Sequence, residues 1–172
     1  MSIDQLDPTA LRRAFGACPS GVVSVCATDG EGLPVGMVVS TFIPVSLDPP
    51  LVAFSLRAQS RTWPVLRSRP RLGLSVLTAS HSRAAGQLAA AEGDRFGGLD
   101  LVTSERGAVF IAGAAIQFEC VVDQEFRAGD HDLVTLAVQS MLVAERTEVP
   151  LVFHHSGFMT TGPLPDVALV SA

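Results

Sequence analysis

The stretch Ala128-Gly129-Asp130-His131-Asp132-Leu133 sets one imidazole between two carboxylates, after a glycine and before an apolar run. Acidic neighbours favour the protonated imidazole, so one reading makes His131 a cationic or hydrogen-bonding tip aimed at a ligand. The other makes Gly-Asp-His-Asp a tight turn between two strands, because Gly and Asp are ordinary turn residues. On the hexapeptide alone the turn is favoured. A second group of candidates is a set of small hydroxyl residues at apparent strand ends and helix starts: Ser40, Thr41 and Ser46, then Ser55, then Ser60, Arg61 and Thr62. Hydroxyls and amides along a strand can read the polar edge of a planar heterocycle, and a helix start with an arginine beside it suits a phosphate. Taken singly, each is read first as a structural cap or strand-edge residue, bonded locally.

Other chemistries fail at the level of motif. The chain has no G-x-S-x-G elbow, no G-x-x-x-x-G-K-[ST] phosphate loop and no G-x-G-x-x-G between a strand and a helix. No metal site is expected: His154 and His155 would point to opposite faces of a regular strand, and His81 and His131 lack partners at ligand spacing. Cys18, Cys26 and Cys120 form no C-x-x-C pair, and an odd count argues against a disulfide framework and for buried, reduced thiols. The net charge is -5, with basic residues scattered, so nucleic acid is not an expected partner. No apolar run reaches the ~20 residues of a membrane span, and the N-terminal residues lack a signal-peptide core. A cytoplasmic protein with no membrane partner is expected. At 48% apolar and 17% charged residues, part of the surface is expected to be covered in an oligomer.

These candidates need elements to hold them. Asp7 as cap and Pro8 at the first helical position mark a helix carrying Leu11, Ala14 and Phe15, with one face packed on the domain. "GVVSVCAT" and "LPVGMVVSTF" read as a hairpin across "DGEG". "PVSLDPP" is extended or turn, and "LVAFSLR" is a strand with Val52, Phe54 and Leu56 on one face and Ala53, Ser55 and Arg57 on the other. "SRTWPVLRSRP" is a short helix capped by Ser60 or Thr62, "RLGLSVLT" a strand, and "SHSRAAGQLAAAEGDRF" a helix ending before Gly93. Two long strands flank the opening hexapeptide, and "PLVFHHSGF" is expected to close the sheet. The economical architecture is one domain over residues 1–172, a mainly antiparallel β-barrel with peripheral helices, its core about 11–158 and a tail 159–172.

"PSGVVSV", "VGMVVSTFIPVSLDPPLVAFSL", "SRTWPVL", "DRFGGL" and "AGDHDLV" occur in an order and spacing that resemble the flavin reductase-like family, the short reductase components of two-component flavin-dependent monooxygenases. The resemblance implies an FMN-binding split barrel, an antiparallel Greek-key β-barrel assembled as a homodimer. It implies FMN or FAD as the flavin, NADH or NADPH as co-substrate, and a partner monooxygenase that receives reduced flavin. It places Met37, Val38, Val39, Ser40, Thr41 and Phe42, with Ser46, along the isoalloxazine and ribityl chain. Ser55, Arg57, Ser60, Arg61 and Thr62 would surround the ribityl and phosphate groups. His131 falls on the family's G-D-H histidine, on the nicotinamide side, which turns the reading of the hexapeptide toward function. The chain departs from the pattern at Val38 and Val39, where members often carry Thr, Ala or Cys, and at His154–Phe158, where a Tyr-Arg-Gly-x-Tyr-like stretch is common. Two readings compete with the reductase: a barrel with tightly bound flavin serving another acceptor or oxygen, and a non-catalytic flavin-binding barrel.

Overall fold

The computed structural model describes residues 7–145 and 148–162. Its main element is a seven-stranded antiparallel sheet in the order β3-β2-β6-β9-β10-β5-β4. These strands are β2 (Val23–Thr28), β3 (Pro34–Val39), β4 (Ile43–Leu47), β5 (Pro50–Arg57), β6 (Leu72–Val76), β9 (Ile116–Ala128) and β10 (His131–Val143). The two edge strands, β3 and β4, are consecutive in the chain and joined only by residues 40–42. Laid flat, six strand spacings would hold those edges roughly 29 Å apart, whereas such a link spans at most about 14 Å. The sheet must therefore roll up, and Thr41 pins the seam: its Oγ1 donates to Ser55 O (2.7 Å) and accepts from Ser55 N–H (2.9 Å). β4 tolerates Pro44 because an edge strand leaves one side unpaired.

Val23, Val25, Val39, Val52, Phe54, Leu56, Leu72, Leu74, Val134 and Leu136 fill the barrel. The alternation of β5 holds, with Val52, Phe54 and Leu56 inward. β2 is buried on both faces, because Cys26, with Val22 just before the strand, joins a second core with Leu77, Ala85, Leu88, Val109, Ile111 and Leu151 outside the barrel. That core lies under helix α3 (Ser82–Ala89) and a hairpin, β7 (Leu101–Thr103) and β8 (Val109–Ile111), whose short strands the sequence pattern did not reveal. β8 comes so close to β6 that a β-carbon at Gly73 would overlap the Val109 backbone.

Four expectations change. Strands β11 (Leu151–His154) and β12 (Gly157–Thr160) do not close the main sheet; they form a separate three-stranded sheet with β1 (Ser20–Gly21). Helix α1 (Pro8–Gly16) is capped by Asp7 as expected but buries no residue in the single chain, and Phe15 is 71% exposed. α3 follows a 3-10 turn (Ala79–His81) and stops at Ala89, where Ala90 turns to extended backbone (φ -64°, ψ 140°), short of the expected end before Gly93. Helix α2 (Trp63–Leu66) is a single turn, too short for a helix dipole to matter, so a phosphate there would rest on side chains and local amides. Among the described residues no helix is long and apolar enough to cross a membrane.

Candidate functional site

The β9–β10 hairpin turns on Gly129-Asp130, with Gly129 at φ 67° in the first central position, as a type II′ turn requires. The turn is real, and it sets His131 at the start of β10, directly opposite Ala128 on β9 and Arg57 on β5. The same ladder pairs Leu133 with Ser55 and Thr135 with Ala53, so His131, Arg57 and Ser55 share the outer face of the barrel wall. Exposed Ile43, Phe126 and Leu133 flank them.

The two acids beside His131 do different work. His131 Nδ1–H donates to Asp130 Oδ1 (2.7 Å), and this hydrogen bond holds the Asp130 carboxyl below its ordinary range. Asp132 faces the opposite side of the strand and pairs with Arg127 (2.9 Å), so it does not act on His131 directly. With Nδ1 committed, Nε2 has no partner among the described residues and is the outer end of a 40% exposed ring, an acceptor when neutral and a donor when protonated.

Residues 57–62 cross the barrel end beside this turn. Ala58 N–H donates to Asp130 O (3.1 Å), and Ser60 N–H to Arg57 O (2.9 Å). Ser60 Oγ, not Thr62, caps the short helix by accepting from Trp63 N–H (3.1 Å). Trp63 is the anchor: buried, edge-on to Phe54 at 5.6 Å, with its indole N–H on Glu125 (3.3 Å). Arg57 and Arg61 are exposed, and neither guanidinium makes a hydrogen bond or ion pair among the described residues. Two free cations beside hydroxyls suit a phosphate.

Among the remaining expected residues, Val39 is buried in the barrel core, Met37 and Phe42 pack against that core, and Val38 against the second. Ser40 is half-buried at the seam, and Thr41 has its hydroxyl bonded to Ser55. Ser46 stands apart: it pairs with Leu51, four residues before Ser55 and roughly 13 Å along β5. Sequence reasoning missed Arg95, whose Nη1 donates to Gly36 O (3.3 Å) and Thr62 Oγ1 (3.1 Å), although "DRFGGL" marked its place.

Other polar groups fall elsewhere. His154 and His155 do not sit on one regular strand: His155 lies in the β11–β12 turn at φ 47°, and the two rings are 4.1 Å apart. Among the described residues no group of three or more His, Cys, Asp or Glu is placed to hold a metal ion. A cleft of about 650 Å³ lined by Thr28, Arg71, Ser104 and Arg106 lies at the other end of β2 and shares no residue with the candidate site.

A family model described as a flavin reductase like domain matches residues 15–162. The chain belongs to this flavin reductase-like family. It is 37% identical over 147 residues to a protein of Streptomyces coelicolor named actinorhodin polyketide dimerase, covering 86% of this chain and 82% of that one. It is 33% identical over 163 residues to the reductase subunit of a flavin-dependent monooxygenase of Mycobacterium tuberculosis, covering 94% and 86%. The NADH:FAD oxidoreductase of Streptomyces globisporus, solved with NAD and FAD fragments, superposes with a TM-score of 0.86 at 32% identity, covering 96% of this chain and 99% of that one. The split-barrel architecture of this flavin reductase-like chain is thus the fold of its relatives.

Proposed function

We propose that the chain is an NAD(P)H:flavin oxidoreductase that passes hydride from NADH or NADPH to FMN or FAD and supplies reduced flavin to a flavin-dependent monooxygenase component. The observation that carries this reading is the convergence on one outer face of the seam at 40–42, the 55–62 segment with its two free arginines, and the free Nε2 of His131. The names of the relatives support the activity and the monooxygenase partner. The flavin supplies the hydride-accepting ring, which is why the site needs contacts and no protein nucleophile. Backbone groups of Met37–Phe42 border the ring, and Ser55, Arg57, Ser60, Arg61 and Thr62 hold the ribityl and phosphate end. His131, fixed by Asp130, orients the nicotinamide from the other side.

The face is open and carries apolar Ile43, Leu133 and Phe126, so the second half of the pocket comes from another copy in a homodimer. A monomer's mass by light scattering, with full activity, would overturn that assembly. A cytoplasmic location fits cysteines that are all free among the described residues, Cys26 and Cys120 buried and Cys18 exposed.

The test is a steady-state assay crossing NADH and NADPH with FMN, FAD and riboflavin. Oxidation of a nicotinamide that depends on added flavin is expected. A preparation that stays yellow after dialysis would indicate a resident flavin, and no oxidation with any pair would reduce the protein to a binding barrel.

A further inference from the structure

The Asp94-Arg95-Phe96 element lies outside the three segments of the proposed pocket, yet it is tied to two of them. Asp94 Oδ1 holds the Phe96 and Gly97 amides at 3.0 and 2.8 Å, which fixes the loop that carries Arg95. Arg95 Nη1 then reaches 59 residues back to Gly36 O, just before Met37, and 33 residues back to Thr62 Oγ1, while Nη2 donates to Ala91 O (3.4 Å). A guanidinium has five N–H donors and no acceptor. Three contacts are made, and no carboxylate pairs with Arg95 among the described residues. A half-buried cation without a counter-ion is costly unless an anion arrives.

Thr62 adds the second observation. It stands at the cap position of α2, yet its side chain caps nothing, because Ser60 fills that role. Since arginine can only donate, Thr62 Oγ1 is the acceptor of the 3.1 Å bond, and its own hydrogen is left to donate elsewhere. We propose that Arg95 is a positioning residue for a phosphate oxyanion: it aims the Thr62 hydroxyl at a phosphate oxygen and brings a further positive charge to the residue next to Arg61. This rests on the placement of the flavin phosphate at residues 60–62 proposed above.

Fluorescence titrations with FMN and with riboflavin, which lacks the phosphate, test it in wild type, Arg95→Ala, Arg95→Lys, Thr62→Val, the Arg95→Ala/Thr62→Val double variant and Arg61→Ala. Arg95→Ala should weaken FMN by about tenfold and riboflavin by less than about twofold, with partial recovery in Arg95→Lys. Inorganic phosphate should compete with FMN in wild type and lose that effect in Arg95→Ala. In the double variant, Thr62→Val should add almost nothing, since the hydroxyl has already lost its aim. Equal weakening of FMN and riboflavin, or strict additivity with Thr62→Val, would overturn the assignment. If Arg95→Ala fails to fold by near-UV circular dichroism, Arg95→Lys and Thr62→Val decide it, because each must still weaken FMN over riboflavin. Arg61→Ala separates the two levels: if it weakens FMN selectively while Arg95→Ala does not, only Arg95 falls. If neither does, the phosphate placement falls too.

Discussion

Two hairpin turns in this chain carry histidines, and their backbones use them in opposite ways. At 129–130 a glycine takes the positive φ, so His131 enters the strand relaxed, its Nδ1 held by Asp130 and its Nε2 free. At 155–156 no glycine is available: His155 and Ser156 themselves adopt φ 47° and 63°. Histidine there is a fastener. The main-chain N–H of His155 donates to Gly16 O (2.7 Å) and the ring Nε2–H of His154 to Ala17 O (3.1 Å), tying the C-terminal end of α1 to the β11–β12 hairpin. In the first turn a glycine takes the left-handed backbone and the histidine follows it into the strand; in the second the histidine takes that backbone itself and its main chain makes the tie.

The sharpest break in that comparison is a pair of substitutions. His131→Ala should slow flavin reduction on the order of 10- to 100-fold, or raise the KM for the nicotinamide, with flavin affinity unchanged. His155→Ala should leave stopped-flow reduction intact and appear only in the denaturant midpoint. Equal kinetic effects would erase the distinction between the two turns.

A smaller effect is expected from Asp130→Asn, which keeps the turn but gives His131 a neutral partner. The folded-state pKa of Asp130 is lowered by the hydrogen bond from His131, so the charged contact is fully present above the ordinary carboxylate range and is lost as pH falls through the lowered value. Wild type and Asp130→Asn should therefore differ at neutral pH and converge in acid. Reduction rates that stay equal at every pH would show that Asp130 does not set the orientation of His131.

The smallest effect is in the other turn. Ser156→Gly should relieve the left-handed backbone and raise stability by up to about 1 kcal/mol, net of the extra entropy a glycine loses on folding. Equilibrium unfolding of the two proteins reads this directly, and no change in turnover should accompany it.

What the sequence by itself determined is local. The inward alternation of Val52, Phe54 and Leu56, the cap at Asp7 and the hairpin turn at Gly129 follow from residue type and short spacing, and the structure keeps them, whereas Cys18, expected to be buried, is exposed. The order of its motifs also carried the family. The tertiary structure decided what depends on partners far along the chain. The rolling of the sheet comes from a three-residue link between opposite edges, and β4 pairs despite its proline because it lies at an edge. β7 and β8 are three residues each, too short to show a period, and exist through packing on β2 and β6. Asp132 turned from His131 to Arg127 because adjacent strand residues face opposite sides, a fact that matters only once the partner strand is placed. Arg95 was invisible for the same reason: its meaning lies in bonds to residues 59 and 33 positions away, and no local pattern encodes a contact that only the closed barrel brings within 3.3 Å.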